Sequence, residues 1–165
     1  METPDEPWSF VVATYARDGV KPAALALQDE DGQCVSFLLW RLWRQVSGRP
    51  PAPSDLRTAA AAARAFEAEV LAPLRSARRA LGRGESAAAR VATRRPSLYQ
   101  ALLAAEMEAE RTLIETLEGS TPGAGAVKRP GDEAADVIET LREAARLYSG
   151  TEIDPGRLAA FAAHC

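Results

Sequence analysis

The chain has 165 residues, a length that points to one domain, with a formal net charge of -3 at pH 7 and a pI of about 5.3. Because the molecule is acidic as a whole, any site for nucleic acid would have to be a local basic patch. Two cysteines are present, Cys34 and Cys165, so no disulfide framework is implied and a reducing compartment is favoured. The acidic, proline-containing start does not resemble a signal peptide, and no apolar run is long enough to span a bilayer. These features predict a cytoplasmic protein that does not enter membranes.

The first third of the sequence predicts three helices. Apolar residues recur at helical spacing over about 7–17, and a second, short helix is expected to begin near residue 22. The third helix, over 33–46, is apolar around most of its circumference, which is typical of a helix at the centre of a bundle. Three of its residues are expected to form a solvated edge: Arg41, Arg44 and Gln45.

The middle of the chain predicts one long helix with an irregularity. Ser54 is the expected N-cap, because its hydroxyl can accept a hydrogen bond from a free N–H of the first turn. Pro73 lies inside the apolar repeat and should kink or split the helix, and Gly82 should end it. A further, less regular helix is expected over 85–94.

A capping box predicts the start of another long helix. Ser97 and Gln100 can each satisfy a free N–H of the first turn, and the helix is expected to run to about residue 118. Its expected buried face recurs every three or four residues and comprises Leu98, Leu102, Ala105, Ala109 and Leu113.

The C-terminal part combines a loop with two helices. Residues 120–131 are rich in Gly, Pro and Ala without periodicity, which predicts a flexible loop. Asp132 is expected to cap a helix that ends at Gly150, and a last short helix is expected to begin at Pro155. No stretch alternates apolar and polar residues for long enough to predict a strand.

Together these elements predict an all-α, single-domain bundle of six to eight helices. Residues 1–6 are expected to form an N-terminal tail and residues 7–119 the helical domain. After the loop over 120–131, residues 132–165 are expected to pack as C-terminal helices on the same domain.

A basic segment is the clearest local charge signal. From residue 75 to residue 95 one acidic residue, Glu85, opposes seven arginines, which gives the segment a charge of +6. Arginines three and four positions apart share a helix face and can grip phosphates, whereas glutamates of the following helix could pair with them instead. The sequence leaves both alternatives open for this candidate basic patch: Arg75, Arg78, Arg79, Arg83, Arg90, Arg94 and Arg95.

Large aromatic residues in the N-terminal third could line a ligand pocket or a partner groove, or could pack in the core. Tryptophan is favoured at protein interfaces because it buries a large area and keeps one polar handle. The candidate partner or ligand surface combines such residues with charges on the same or neighbouring helices: Trp8, Asp29, Trp40, Arg41 and Arg44.

The sequence lacks the residue sets of several enzyme classes. A single histidine, His164, excludes di-iron bundles with two Glu-x-x-His motifs and zinc sites of the Cys/His type. No phosphate-binding glycine loop or nucleophile elbow is present. The acidic residues at 28–32 and 132–136 fit helix capping and the helix dipole better than metal binding. We therefore expect no cofactor and no metal, and the sequence favours a protein that is not an enzyme.

Four motifs follow one another in the N-terminal third: Pro7-Trp8-Ser9-Phe10, Tyr15-Ala16-Arg17-Asp18-Gly19-Val20, Leu25-Ala26-Leu27-Gln28-Asp29 and Leu38-Leu39-Trp40-Arg41-Leu42-Trp43. With Leu98-Tyr99 and the segment 104–111, they resemble a proteobacterial family of uncharacterised proteins, domain of unknown function 2390, over about residues 6–118. Where members usually carry Asp-Val-Asn-Leu, this chain has Cys34-Val35-Ser36-Phe37. The resemblance implies a compact bacterial helical protein and implies no reaction.

The function favoured by the sequence is that of a non-enzymatic adaptor or regulator that binds another protein. This hypothesis rests on the missing catalytic sets and on the segregation of charge along the chain. One alternative is a nucleic-acid binder that uses the segment from Arg75 to Arg95. Another is a small-molecule binder or enzyme with a pocket near Trp8 and Trp40.

Overall fold

The computed structural model describes residues 6–82, 90, 96–122, 133–151 and 153–165 and, in the helix that begins at Glu133, the side chains from residue 137 onward. Every regular element in these ranges is helical, which confirms the predicted all-α single domain. The elements are α1 (Pro7–Tyr15), α2 (Val20–Glu30), α3 (Val35–Val46), α4 (Pro53–Phe66), a π-helical turn (Glu67–Leu71), α5 (Ala72–Gly82), α6 (Pro96–Ser120), α7 (Glu133–Ser149) and α8 (Pro155–His164). Because α4, the π turn and α5 form one continuous rod, the described residues contain seven helices, within the predicted range.

Helix α3 lies at the centre of the bundle, in contact with α1, α2, α6 and α7. Each of its residues from Val35 to Arg44 is buried, as expected for a helix that is apolar around most of its circumference. The predicted solvated edge is wrong at two positions, since Arg41 is 6% exposed and Arg44 is 2% exposed. The reason is that Glu143 of α7 and Glu118 of α6 supply carboxylates to the two guanidinium groups, at 3.4 Å and 3.0 Å respectively. Buried cations are tolerated when they are paired in this way.

The rod formed by α4, the π turn and α5 shows the predicted interruption near Pro73. In the π turn the N–H of Ala72 donates to the carbonyl oxygen of Glu67, five residues earlier. Pro73 follows without an N–H, so the widened turn comes directly before the residue that cannot continue the regular hydrogen-bond pattern. The predicted N-cap at Ser54 is wrong, because α4 already begins at Pro53. Proline suits this first position, since its missing N–H would have no partner there in any case.

Helix α6 differs from its predicted form in its start and in its buried face. It begins at Pro96, so Ser97 is already helical and is not the predicted N-cap. Leu98 is 41% exposed rather than buried, whereas Glu106 is 8% exposed. Helix α6 packs against α5, and Arg75 of α5 forms an ion pair with Glu106. This pairing explains why a glutamate occupies a buried position of α6. The residues of α6 that are buried are Glu106, Ala109, Leu113, Ile114 and Leu117.

The two C-terminal helices pack on the earlier ones. Helix α7 lies against α3 and α4, and α8 lies against α2 and α7. Gly150 ends α7 as predicted, with a φ of 71° and an N–H that donates to the carbonyl oxygen of Arg146 at 2.9 Å. Of the predicted loop over 120–131, Ser120 belongs to α6 and residues 123–131 lie outside the described residues. Asp132, the predicted cap of the next helix, and the predicted helix over 85–94, apart from Arg90, also lie outside them. None of the described helices is both long and apolar enough to cross a membrane.

Candidate functional site

A buried arginine with three carboxylate partners joins the rod to α6. Arg75 of α5 is 1% exposed and donates to Glu67 Oε1 at 2.5 Å, Glu106 Oε1 at 3.2 Å and Glu110 Oε1 at 2.9 Å. Arg78 adds a second cation, with its Nε 2.6 Å from Glu106 Oε2. We call these five residues the Arg75 cluster. Its three carboxylates and two guanidinium groups leave a net charge of -1 when all are ionised.

Burial and charge act in opposite directions on the groups of the Arg75 cluster. Burial alone would lower the pKa of Arg75, but the neighbouring carboxylates of Glu67 and Glu110 outweigh it and raise the pKa further. Burial raises the pKa of Glu110, and the hydrogen bond from Arg75 opposes that rise. Arg75 therefore stays cationic under all ordinary conditions and holds the carboxylates of two other elements around it.

The predicted basic patch is largely neutralised where the structure describes it. Arg75 and Arg78 pair with glutamates of the Arg75 cluster, and Arg79 lies 3.5 Å from Asp29 of α2. Arg75 and Arg78 thus have the pairing with glutamates of the following helix that the sequence left open, whereas the partner of Arg79 lies on α2. Arg90 is exposed. The remaining members of the predicted patch lie outside the described residues: Arg83, Arg94 and Arg95.

A cavity of about 380 Å³ lies beside the Arg75 cluster, between the turn that joins α2 to α3 and the π turn with α5. We call it the polar cavity, because its side chains are mainly polar and its apolar lining residues are small. A volume of this size is within the range of small-molecule sites. The polar residues that line it are Gln28, Gln33, Glu67, Arg75, Ser76 and Arg79.

Two residues of the polar cavity each carry a buried oxygen that accepts no hydrogen bond from the described residues, Gln33 Oε1 and Glu67 Oε2. Gln33 is 1% exposed, and its Nε2 donates to the backbone oxygen of Asp31 at 3.4 Å. With this long contact made by Nε2, Oε1 is the atom of the amide that has no partner among the described residues. A buried polar atom without a partner costs about 1–3 kcal/mol. Both oxygens belong to residues of the cavity wall, although neither atom has appreciable accessible surface of its own.

An ion pair from α8 holds the turn that carries Gln33. Arg157 Nε lies 2.7 Å from Asp31 Oδ2, and Arg157 Nη2 lies 2.8 Å from Asp31 Oδ1. The hydrogen bond from Arg157 lowers the pKa of Asp31 below its ordinary value. Asp31 immediately precedes Gly32 and Gln33, so this two-point contact fixes one wall of the polar cavity.

Replacing Asp31 with asparagine should lower the free energy of unfolding at pH 7. In acid the free energies of unfolding of the variant and of wild type should become more similar. A carboxyl group whose pKa is lowered by folding contributes stability above its unfolded pKa of about 3.9 and loses it as the pH falls further. The free energy of unfolding, measured with urea between pH 7 and pH 2.5, should therefore be lower for Asp31→Asn at pH 7. The difference should close below about pH 3.9. A difference that is constant across this range would contradict the assigned ion pair.

The residues of the predicted partner or ligand surface do not lie together. Trp40 and Arg44 lie in the core, and the others are separate from them. Trp40 is fully buried, with its ring centroid 5.8 Å from that of Phe37 and its Nε1 3.3 Å from Glu118 Oε2. Arg44 donates to the same carboxylate and lies over the Trp40 ring at 6.0 Å. Trp8 is partly exposed, and Asp29 faces Arg79 instead of joining this group.

Arg41 is placed differently from Trp40 and Arg44, since it lines a groove of about 520 Å³ between α3, α4 and α7. Arg57 and Glu143 lie on the same groove. Neither this groove nor the polar cavity includes Trp8 or Trp40 among its lining residues. Binding of a partner at the predicted surface stays a prediction.

The thiols of the two cysteines are held in an unreactive form. Burial raises the pKa of Cys34 to about 12, and the charge of Glu67 acts in the same direction. Burial also raises the pKa of Cys165 to about 12. Both thiols are therefore protonated at neutral pH, and a protonated thiol is a poor nucleophile. No group of three His, Cys, Asp or Glu side chains that could hold a metal ion occurs among the residues that the structure describes.

His164 packs against the turn between α1 and α2. Gly19 has a φ of 84°, and a Cβ placed on it would lie 2.5 Å from the Cε1 atom of His164. This turn therefore requires glycine both for its backbone conformation and for the space that the imidazole ring occupies. The observed contact of His164 is a packing contact between α8 and this turn.

Sequence reasoning missed Gln33 and Glu67 as site residues. No curated protein and no solved structure matches the chain. One family model does match, over residues 6–117, a range that includes Gln33, Glu67 and all other members of the polar cavity and the Arg75 cluster. Its description is Protein of unknown function (DUF2390). The chain belongs to this family, as its N-terminal motifs predicted.

Proposed function

We propose that the protein is a non-enzymatic regulator that binds a small polar ligand in the polar cavity. The observation that carries the proposal is the pair of buried, unpartnered oxygens, Gln33 Oε1 and Glu67 Oε2, on two residues that line one cavity. Leaving two such atoms without hydrogen bonds is unfavourable in the free protein. A ligand that reached and donated to either oxygen would recover part of that free energy on binding.

The surroundings of the polar cavity support a preformed site. Arg75 holds Glu67 in place at one wall, and Arg157 holds Asp31 beside Gln33 at the other. Side chains that are fixed before binding lose little conformational freedom when a ligand arrives, which improves affinity. The protonated state of Cys34 and Cys165 supports binding without covalent chemistry.

Filling the polar cavity should abolish binding without unfolding the protein. Ser76 is exposed on α5 and lines the cavity, so a tryptophan at this position should occupy the space that a ligand needs. Saturation-transfer NMR with a panel of acetate, phosphate, acetamide, glycinamide, ethanolamine and β-alanine measures binding to wild type and to Ser76→Trp. We expect at least one compound to bind wild type and to lose its signal with Ser76→Trp.

The matched control places the same side chain on the next residue of the same helix. Ala77 is also exposed but is not part of the cavity lining, so Ala77→Trp should bind the panel as wild type does. If no compound binds, or if both variants bind equally well, the proposed function is wrong. Circular dichroism on both variants checks that each remains helical.

A protein-binding adaptor is the second candidate function. Large apolar side chains are exposed on three helices, with Val12 at 50%, Leu25 at 44%, Leu98 at 41% and Met107 at 52%. A contiguous patch of such residues would favour contact with another protein, whereas single ones are common on protein surfaces. A mutation that tests binding of a protein partner should be made at Met107 rather than at Arg78. Reversing the charge of Arg78 would also break its ion pair with Glu106.

The nucleic-acid alternative has less support from the described arginines, since Arg75, Arg78 and Arg79 already have acidic partners. It stays a prediction that rests on the rest of the basic segment. We infer a bacterial cytoplasmic setting, which the free thiols of Cys34 and Cys165 support, since disulfides are uncommon in reducing compartments.

A further inference from the structure

We propose that the groove between α3, α4 and α7 binds a small molecule that carries a phosphate monoester. This site is separate from the polar cavity and does not depend on the proposed function. Two exposed arginines line the groove from different helices, Arg57 from α4 and Arg146 from α7. Within the part of the chain that the structure describes, neither side chain donates a hydrogen bond or forms an ion pair. Both guanidinium groups therefore have donors to offer to a ligand.

The carboxylates that line the groove are engaged elsewhere and do not neutralise these two arginines. Glu143 pairs with Arg41 at 3.4 Å, and Glu139 pairs with Arg142, which lies one turn further along α7. Together the four arginines and two glutamates of this region carry a net charge of +2. An anion that enters the groove would therefore meet a positive potential.

A phosphate monoester matches this charge better than a carboxylate does. At pH 7 its charge is about -1.5 to -2 and it presents three acceptor oxygens, whereas a carboxylate carries a single charge. The planar guanidinium group of arginine donates in pairs that fit phosphate oxygens. Helices α4 and α7 are in direct contact, so Arg57 and Arg146 approach the same groove from adjoining walls.

The rest of the groove suits a small organic group attached to the phosphate. Its volume of about 520 Å³ is within the range of small-molecule sites and is much larger than a free phosphate ion. Pro53 and Leu147 add apolar surface to the lining. A nucleic-acid strand is disfavoured, because the side chains of Glu139 and Glu143 are 67% and 46% exposed and would repel its successive phosphates.

The phosphate is tested with sets of compounds that differ mainly in the anionic group. Isothermal titration calorimetry at low ionic strength compares phenyl phosphate with phenol and benzoate, and glycerol 3-phosphate with glycerol and glycerate. At least one phosphate monoester should bind with a Kd below about 1 mM. Its two counterparts should bind at least about tenfold more weakly, as expected when hydrogen bonds to a charged group are lost.

Two variants remove one guanidinium group each. Arg57→Gln and Arg146→Gln should each weaken the phosphate monoester at least about tenfold. Because both side chains are exposed and make no contacts that hold the helices together, both variants should fold, which circular dichroism checks. The matched control is Arg111→Gln, which removes an exposed arginine of α6 outside the groove and should leave the affinity unchanged.

The outcomes decide this inference independently of the polar cavity. Ser76→Trp, which fills that cavity, should leave phosphate binding unchanged. Failure of both phosphate monoesters to bind overturns the inference, as does equal affinity for benzoate or glycerate. Unchanged affinity in either Arg57→Gln or Arg146→Gln also overturns it. Phosphate binding that is lost in Ser76→Trp and kept in the two arginine variants would assign the phosphate to the polar cavity instead.

Discussion

Replacing Arg75 with methionine is expected to lower the free energy of unfolding by about 3–5 kcal/mol, the usual loss when one partner of a buried ion pair is removed. Methionine fills much of the same volume, so the loss comes mainly from charge. Glu67, Glu106 and Glu110 would lose the guanidinium that holds them, and Arg78 would remain to neutralise Glu106. Urea unfolding followed by circular dichroism at pH 7 measures the change.

The pH dependence identifies the carboxylates as the cause. Burial already raises the pKa of Glu110, and removal of Arg75 should raise it further. A carboxyl group whose pKa is raised by folding favours the folded state below its unfolded pKa and disfavours it as the pH rises through its folded pKa. The deficit of Arg75→Met should therefore be largest at neutral pH and should shrink as the pH falls towards about 4.3, the ordinary pKa of glutamate.

A charge-matched variant completes the test of the Arg75 cluster. Combining Arg75→Met with Glu67→Gln and Glu110→Gln leaves the pair of Arg78 and Glu106 balanced, so more than half of the lost stability should return. Arg111→Met, which removes an exposed arginine 2.7 Å from Glu115, should leave stability nearly unchanged. A small, pH-independent loss for Arg75→Met would show that the cluster is screened by solvent.

The helices could be predicted from the sequence because their signals are local. Apolar spacing together with caps and prolines predicted the described helices, and Gly150 and Pro155 marked an end and a start that the structure confirms. The starts at Ser54 and Ser97 were predicted one residue or more late, because a proline precedes each serine. Where a proline can take the first helical position, the hydroxyl after it is no longer at the cap.

Burial of charged residues could not be predicted, because it depends on partners far away in the sequence. Arg44 is buried against Glu118, 74 positions away, and Arg75 against Glu106 and Glu110, 31 and 35 positions away. A local pattern assigns every such residue to solvent. The glutamates that follow the basic segment suggested pairing, but the sequence did not indicate that Arg75 is buried.

The polar cavity was also beyond local patterns. Gln33 precedes the most apolar helix and was interpreted as part of it, and Glu67 lies in what the spacing predicts as a regular helix. The two line one cavity because the π turn and the turn between α2 and α3 face each other across it. The sequence signal for this site is the amide of Gln33, which comes just before the buried helix α3. That signal is weak, because the sequence does not show which distant residues face Gln33.

Replacing Trp40 with alanine is expected to cost about 3–5 kcal/mol, the range for removing a large aromatic side chain from a packed core. Trp40 is fully buried, stacks on Phe37 and donates to Glu118, so the substitution leaves a void and an unfilled contact beside Arg44. Urea unfolding of Trp40→Ala and Trp8→Ala provides the comparison. Trp8→Ala should cost clearly less, because Trp8 is partly exposed.

The comparison decides how the two tryptophans of the predicted partner surface contribute. If Trp40→Ala is the far more destabilising change, any loss of binding that accompanies it is explained by loss of folded protein. Such a result cannot locate an interface. Trp8→Ala, which should preserve the fold, is then the variant that tests a surface role. Equal and small effects on stability would mean that Trp40 is not packed as described, and would return it to the candidate surface. The same reasoning separates Arg44, which is held by Glu118, from Arg41, which reaches the groove between α3, α4 and α7.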